Sequence, residues 1–339
     1  MFYNIKKMYL DTIHWCLGDW RYFLYDVVKH EKHLLRQYYN ELSIDTFTQK
    51  TVIYMANGFC GHAGIADRFK GITALYGWCK EANVDFKIFH IHPFELNDYL
   101  IPNQYDWYIH ADKICYNSKH TSVNYFMLHP LVQNQIDSGE IIDLERKWVL
   151  QRIANANKNQ LHFYTNMYPK SDEMFGAYFR ELFKPSLKLE QELQYHLHQI
   201  GGRYISVSYR FMQLLGDFKD CEGETLSANQ QDNLIKMSMD VLLLIKKNNP
   251  SIDRILVTAD SITFLQSAKK LPFVYVIEGK IGHINYVSSD EVNMKTFLDF
   301  FMIAHADKAY LAKSDKMYNS EFARRASMIY NKQFELIKY

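Results

Sequence analysis

Residues 51–91 read TVIYMANGFCGHAGIADRFKGITALYGWCKEANVDFKIFHI. The first five residues form an apolar, β-branched run that predicts a buried strand, and residues 85–91 predict a second strand. Between the two, large apolar side chains recur at the 3.6-residue period of a helix: Phe69, Ile72, Leu75 and Tyr76. A strand, a loop of small residues, a helix over about 65–82 and a second strand make a βαβ unit, which requires a parallel sheet.

The alternation of strands and helices begins again at residue 204. Strands are predicted over 204–209, 254–258, 273–277 and 308–311, and helices over 227–248, 261–270, 291–306 and from about 319 onward. Lys184-Pro185-Ser186 stands before the helix that precedes this second half, and Gly201-Gly202 ends it. We therefore predict an α/β protein with two doubly wound parallel domains, residues 1–200 and residues 201–339, in which residues 1–45 are helical.

Composition excludes several classes of protein. The 339-residue chain has a net charge of +1, which gives no electrostatic reason to expect nucleic acid as a partner. Its 25 Tyr and 22 Phe predict either a core rich in rings or a surface that stacks on sugars. The five cysteines are odd in number and form no Cys-x-x-Cys pair, so neither a disulfide framework nor a zinc ribbon is expected. His90 and His92 share one face of a strand end without a third ligand nearby in the sequence, so we expect no metal site.

The first 25 residues do not resemble a targeting segment. Lys6 and Lys7 stand near the start, but Asp11, His14 and Asp19 interrupt the apolar residues that follow. This pattern predicts neither a signal peptide nor a transmembrane helix. We expect a bacterial cytoplasmic protein, or one that rests on the inner face of a membrane.

Ligands of open parallel sheets bind at the carboxyl ends of the strands. The loop after the first strand contains Gly61 and Gly64 and opens a helix, where backbone N–H groups can meet an anion. It is neither a Walker A loop nor a Gly-x-Gly-x-x-Gly fingerprint. Because small residues at such a turn also serve helix packing, this loop alone assigns no function.

Arg210 follows the predicted strand 204–209, where its guanidinium would face the ligand edge of the sheet. In that position it could neutralise a diphosphate leaving group, or form a structural ion pair with an acid such as Asp217. Asp260-Ser261 follow the next strand, and Ser320 opens the last helix. Each of these patterns is typical of a helix cap and also of a contact to a nucleotide or phosphate.

Taken together, four segments resemble the fucosyltransferase superfamily of GT-B fold, which contains α-1,6-, α-1,2- and protein O-fucosyltransferases. In chain order the segments are Gly64-Ile65-Ala66-Asp67-Arg68, Tyr204-Ile205-Ser206-Val207-Ser208-Tyr209-Arg210, Val257-Thr258-Ala259-Asp260-Ser261 and Ser320-Glu321-Phe322. The resemblance spans about residues 50–330. The order of the segments, more than any one of them, carries it.

The resemblance implies two Rossmann-like domains whose parallel sheets face a central cleft. The acceptor would lie on residues 1–200 and the nucleotide sugar on residues 201–339. The donor would be a GDP-sugar, first of all GDP-fucose, bound as a substrate with no separate cofactor. The residues implied for donor binding are Gly64, Ala66, Arg68, Arg210, Asp260, Ser261, Ser320 and Phe322. By analogy, the acceptor is expected to be a glycan or a lipid-linked oligosaccharide of a bacterial surface polysaccharide.

The expected reaction is an inverting displacement at the anomeric carbon. Arg210 would neutralise the departing diphosphate, and N–H groups at the helix starts near Ser261 and Ser320 would assist. The sequence has no Asp-x-Asp motif that would hold a divalent metal against a diphosphate, so metal independence is expected. A general base for the acceptor hydroxyl is sought among four residues: Asp67, His62, Asp217 and His283. We predict Arg210, Asp67 and His283 as catalytic residues.

Three positions depart from the pattern of the superfamily. Ser208 stands where a histidine precedes the arginine by two, Ala66 replaces the second glycine of the first loop, and 211–215 replace the usual Arg-x-Gly-Asp continuation. Two alternatives therefore stay open. One is a GT-B transferase with another donor, such as GDP-mannose or a UDP-sugar, and the other is a relic of the fold that binds a nucleotide or glycan without turnover.

Overall fold

The structure, a computed structural model, describes residues 24–127, 138–218, 224–282 and 289–339. Packing divides the chain into two compact units. The first unit comprises Met1–His62, Asp67–His92 and Asp106–Lys170, and the second comprises Ala63–Ala66, Pro93–Tyr105 and Ser171–Tyr339. Each unit has a parallel sheet of its own.

Helices and strands alternate along the described chain. The first half contains α1 (24–35), β1 (Thr51–Ala56), α2 (Ile65–Ala82), β2 (Asp85–His90), β3 (Leu100–Pro102), β4 (Thr121–Phe126), α3 (Ser138–Asn155) and β5 (Gln160–Thr165). The second half contains α4 (Asp172–Leu182), β6 (Phe183–Pro185), α5 (Leu187–Ile200), β7 (Tyr204–Tyr209), α6 (Ala228–Asn248), β8 (Arg254–Ala259), α7 (Ile262–Ala268), β9 (Val274–Tyr275), α8 (Asp290–His305), β10 (Lys308–Lys313), α9 (Phe322–Met328) and β11 (Gln333–Lys338). Two short 3₁₀ helices are Leu96–Asp98 and Ala111–Lys113.

The sheet of the first unit has the strand order β2-β1-β5-β4, and its pairs are parallel. β1 is a central strand whose six residues are all buried, as its continuous apolar run predicts. Helix α2 has the predicted bounds, and β2 begins at the predicted residue. The βαβ unit and the parallel sheet expected from residues 51–91 are therefore confirmed.

Helix α2 packs against the end of β5 through Gly71. A Cβ atom at this position would lie 2.7 Å from the carbonyl oxygen of Thr165 and 2.9 Å from the Cα atom of Asn166. Both are backbone atoms, which cannot give way as the end of a flexible side chain can. Gly71 is therefore required for this close approach, whereas a Cβ atom at Gly64 would meet nothing within 4 Å.

A buried polar network lies on β5. His162 Nε2 lies 3.0 Å from Gln160 Oε1, which can only accept, so Nε2 carries the proton. His162 Nδ1 must then accept from the Tyr38 hydroxyl, 2.7 Å away. Tyr38 also contacts the hydroxyl of Tyr164 at 2.8 Å. Burial lowers the pKa of His162 to about 3, so the imidazole is neutral in the folded protein.

The sheet of the second unit has the strand order β11-β10-β7-β8-β9, and its pairs are parallel. All six residues of its central strand β7 are buried. A separate two-stranded antiparallel pair joins β3 to β6. The second unit therefore contains the second parallel sheet that the sequence predicts.

Helices α4 and α5 pack within the second unit. Helix α5 contacts α8, and α4 contacts α9. Ser186 caps α5 and Gly201 ends it at a φ of 66°, as the sequence predicts. Because these two helices pack on α8 and α9, the compact units divide near residue 170, whereas the sequence-based division lies at residue 200.

Two predicted helices are shorter in the structure. Within the described residues, the helix expected over 1–45 is limited to 24–35, and residues 36–50 contain no helix. The C-terminal helix expected from about 319 ends at Met328, Asn331 turns the chain at a φ of 53°, and β11 pairs with β10. Pairing with a neighbouring strand overrides local helix propensity there. None of the described helices combines the length and the apolar character needed to cross a bilayer.

Gly71→Ala tests the contact between α2 and β5. The added Cβ would collide with backbone atoms, so we expect the free energy of unfolding to fall by about 2 kcal/mol despite the better helix propensity of alanine. The measurement is urea unfolding followed by circular dichroism. Gly64→Ala is the matched control and should leave the unfolding midpoint unchanged; an equal loss in both variants would contradict the packing argument.

The neutral His162 predicts acid sensitivity. Its folded pKa is depressed, so its contribution to stability is present above the ordinary value of 6.5 and is lost as the pH falls toward about 3. His162→Gln should flatten the loss of stability across this window by up to about 1.4 kcal/mol per pH unit. Urea midpoints measured across the window test this. The same substitution at the exposed His120 should leave the pH profile as it is.

Candidate functional site

The carboxyl edge of the second sheet brings Arg210 and Asp260 together. Tyr209 and Ala259 are register partners at the ends of β7 and β8, so the residues that follow them are neighbours. Arg210 NH1 lies 2.9 Å from Asp260 Oδ2, and the two side chains are 21% and 5% exposed. The guanidinium also lies over the ring of Phe218, 4.7 Å from its centroid. The ion pair left open by the sequence therefore forms with Asp260.

The Asp260 carboxylate also holds the chain that follows Arg210. Its Oδ1 accepts from the backbone N–H of Phe211 at 2.7 Å, and its Oδ2 accepts from that of Met212 at 2.8 Å. Burial raises the pKa of Asp260, while Arg210 and the two backbone donors oppose the rise. Asp260 thus fixes both the guanidinium and the turn after β7.

Met212 has a backbone conformation that favours glycine. Its φ is 55°, in the left-handed region that non-glycine residues rarely adopt. In the Arg-x-Gly-Asp pattern described above, the position two residues after the arginine is a glycine, and here it is Met212. The turn therefore has a glycine-like backbone without the glycine, and the strain is held in place by Asp260.

The start of α7 is occupied by a carboxylate of the chain itself. Ser261 caps the helix by accepting from the N–H of Phe264 at 3.1 Å. Asp217 Oδ2 accepts from the Ser261 hydroxyl and from the N–H of Thr263, both at 2.8 Å. An N–H group near Ser261 that was predicted to assist a diphosphate thus binds Asp217 instead. Because Asp217 caps the start of α7 through these bonds, it is disfavoured as the general base.

Ser208 stands where the superfamily pattern has a histidine. It is the register partner of Thr258, and the two buried hydroxyls lie 2.7 Å apart. The two hydroxyls therefore form a hydrogen bond with each other across neighbouring strands of the sheet.

The segment before α9 contacts the same edge. The N–H of Tyr318 donates to the carbonyl oxygen of Arg210 at 3.2 Å. Ser320 Oγ accepts from the N–H of Phe322 at 3.2 Å, and the Phe322 ring packs edge-on against Phe300 with centroids 5.1 Å apart. The backbone leading to Ser320 is therefore adjacent to Arg210, while Phe322 packs on α8.

In the first unit, Arg68 is buried at the carboxyl end of the sheet. Its NH1 donates to His90 Nε2 at 3.2 Å and to the carbonyl oxygen of His92 at 3.1 Å. His90 was not predicted as a site residue, although its place at the end of β2 was a usable signal. Asp67 forms an ion pair with Lys70 at 2.8 Å, and the Lys70 ammonium lies 4.0 Å from the Tyr168 ring centroid.

His62 is a buried neutral histidine. Its Nδ1 lies 3.2 Å from Asn166 Oδ1 and 3.3 Å from the Tyr54 hydroxyl, and its Nε2 lies 3.8 Å from Cys60 Sγ. Burial, followed by the nearby positive charge of Arg68, lowers the pKa of His62 to about 3. Such a group accepts a proton poorly at neutral pH, which disfavours His62 as the general base.

The remaining predicted residues are separated by the division into units. Gly64 and Ala66 are counted with the second unit, and Asp67 and Arg68 with the first. His283 lies outside the described residues. Among the residues that are described, no group of three or more His, Cys, Asp or Glu side chains is arranged to hold a metal ion.

Solved structures of fucosyltransferases are similar to this chain. NodZ alpha-1,6-fucosyltransferase, known from Bradyrhizobium and co-crystallized with GDP, is 15% identical with a TM-score of 0.52 over 83% of this chain and 92% of that one. A mutant of Arabidopsis thaliana FUT1 in complex with GDP is 10% identical with a TM-score of 0.52, covering 98% of this chain and 78% of that one. POFUT1 in complex with GDP is 10% identical with a TM-score of 0.52, covering 86% and 99%.

No protein-family model matches the sequence, and no curated protein shows significant similarity to it. The structural likeness establishes the fold: the chain has the α/β architecture of GT-B type that the sequence resemblance predicts.

The strained turn gives a test by substitution. Met212→Gly should raise the free energy of unfolding by up to about 1 kcal/mol, because glycine adopts the left-handed region without strain. Met212→Val should lower it by about 1–2 kcal/mol, because a β-branched side chain is least compatible with that region.

Chemical denaturation of both variants is the measurement, with Met237→Gly in the middle of α6 as the matched control. The control should lose about 1 kcal/mol, the ordinary effect of glycine in a helix. A loss of that size in Met212→Gly would contradict the strained conformation.

Proposed function

We propose that this protein is a glycosyltransferase that moves a sugar from a nucleotide diphosphate donor, GDP-fucose in the first instance, to a glycan acceptor without a metal ion. One observation carries the proposal. In a fold shared with three GDP-bound structures, a partly exposed arginine is fixed at the carboxyl edge of the central strand of the second unit. Ligands of parallel sheets bind at that edge.

The chemistry of Arg210 suits a departing diphosphate. Negative charge grows on the diphosphate as the glycosidic bond breaks, and a guanidinium held in position stabilises that charge without having to reorganise. A guanidinium is a planar fork of five N–H donors, so it can bind Asp260 and an anion together. Asp260 is then a positioning residue for Arg210, and the backbone before Ser320 lies beside them.

The acceptor side is proposed for the first unit. Two partly exposed rings meet in its described part: the rings of Phe59 and Tyr116 lie 5.5 Å apart between centroids. Aromatic rings stack on the apolar faces of sugars. Asp67 and His283 remain the proposed candidates for the general base, since His62 is a weak base and Asp217 caps α7. A lipid-linked oligosaccharide in the cytoplasm remains the proposed acceptor class.

A second candidate is a protein that binds a nucleotide without turnover. Asp217 occupies an N–H group of α7 that would otherwise assist a phosphate, and the Ser208–Thr258 pair satisfies itself. Both features reduce the donors offered to a diphosphate. A protein that keeps Arg210 but offers fewer such donors could bind the nucleotide without turning it over. Measurements of binding and of turnover therefore distinguish the two candidates.

Calorimetric titration with GDP, UDP and CMP in the presence of chelator tests the donor site. We expect GDP to bind and Arg210→Lys to weaken binding by about tenfold or more, because lysine cannot form the planar fork. Lysine is preferred to alanine here because it keeps a positive charge beside the buried Asp260. Arg203→Ala, at the other end of β7, is the matched control and should bind GDP like the parent protein.

The outcomes separate the candidates. Binding of GDP together with release of fucose from GDP-fucose supports the transferase, and binding without release supports the second candidate. Tight binding of UDP instead would replace the fucose assignment with another donor. Unchanged GDP affinity in a folded Arg210→Lys protein would refute the role of Arg210.

A further inference from the structure

Helix α1 carries apolar residues on two faces. Val27 and Leu34 are buried in the first unit, whereas Leu24, Val28 and Leu35 are 58%, 48% and 40% exposed. Spacings of four and seven residues place these three on one stripe of the helix. Half of the apolar character of α1 therefore faces away from the core it packs on.

The exposed apolar surface continues beyond the helix. Tyr39, Leu42 and Ile44 are 79%, 90% and 70% exposed, and Tyr39 is held by an antiparallel bridge to Asn117. The six residues Leu24, Val28, Leu35, Tyr39, Leu42 and Ile44 are called here the α1 surface. Six large apolar side chains that are exposed within one segment of 21 residues are typical of an interaction site.

The acidic and basic side chains of α1 differ in their exposure to solvent. The acidic Asp26 and Glu31 side chains are largely buried and bind His30 at 3.3 Å and Arg152 at 3.1 Å. The lysines on the same helix, Lys29 and Lys32, are exposed, and so is Arg36 immediately after it. In the described ranges of the chain, no carboxylate lies within 4 Å of these three cations. Four-residue spacing places Lys32 beside Val28 and Arg36 beside Lys32, along the border of the apolar stripe.

We infer that the α1 surface binds the face of an anionic lipid membrane. An interfacial helix buries an apolar stripe at the boundary of headgroups and acyl chains, while flanking Lys and Arg side chains meet the lipid phosphates. The distribution of charge selects this partner over a second copy of the chain. A two-fold contact of the surface with itself would bring the three cations of both copies together.

The consequence concerns the acceptor. α1 belongs to the first unit, where the acceptor side is proposed, so attachment by α1 holds that unit at a lipid surface. The inference itself stands on the exposure and charges of α1 and needs neither donor nor acceptor. Vesicle binding and nucleotide binding are therefore independent measurements, and the failure of one does not imply the failure of the other.

Cosedimentation with vesicles tests the inference. We expect the parent protein to bind phosphatidylcholine vesicles containing about one third phosphatidylglycerol, and to be released by high salt. Val28→Glu/Leu35→Glu should reduce the bound fraction by about tenfold or more, because it places charges within the apolar stripe. Lys29→Glu/Lys32→Glu/Arg36→Glu should remove the preference for anionic over neutral vesicles.

Leu243→Glu/Leu244→Glu on α6 is the matched control, since these leucines are 44% and 52% exposed in the second unit. It should bind vesicles like the parent protein, and circular dichroism checks that each variant is folded. Absence of binding to the mixed vesicles, or undiminished binding by Val28→Glu/Leu35→Glu, overturns the inference. So does a dimer on a sizing column that the same variant dissociates, because the surface is then a contact between copies.

Discussion

The contacts of the buried Asp260 carboxylate are the interactions on which the carboxyl edge of the second sheet depends. This carboxylate lies at the end of β8, and through the parallel register with β7 it reaches Arg210 and two backbone donors at once. Loss of one partner of a buried ion pair typically costs about 3–5 kcal/mol, because the other charge stays buried. The side chain of Arg210, the turn after it and the position of both strand ends are thus coupled through a single group.

Much of the fold could be predicted because the patterns that specify it are local. The apolar run of β1 and the helical period of α2 predicted the bounds of both elements closely, and the segment 184–186 and Gly201 flank α5 as expected. The sequence-based expectations differ from the structure where contacts between elements distant in the sequence determine the local structure. β11 follows a turn at Asn331 and is a strand because β10 lies beside it. Helices α4 and α5 pack on α9 and α8, which are distant from them in the sequence.

The candidate site likewise has features that could be predicted from the sequence and features that could not. That Arg210 and Asp260 each follow a strand could be predicted from hydrophobic pattern alone. Which acid binds Arg210 could not, because Asp217 is seven residues away in the sequence and Asp260 is fifty residues away. The register of β7 against β8 is what places Asp260 beside Arg210. The neutral state of His62 could not be predicted from the sequence either, because it results from burial by side chains from several segments of the chain.

Two of the departures from the superfamily pattern, at Ser208 and at Met212, are accompanied by hydrogen bonds within the second unit. Ser208 is paired with Thr258, and the left-handed Met212 is held by Asp260. A turn that had lost its ligand would be expected to relax, since strain of about 1–3 kcal/mol persists only where the surroundings enforce it. Here a buried carboxylate enforces it, because Asp260 binds both Arg210 and the backbone of the turn. The strain at Met212 and the ion pair of Arg210 at this strand end are therefore both maintained by the single buried carboxylate of Asp260.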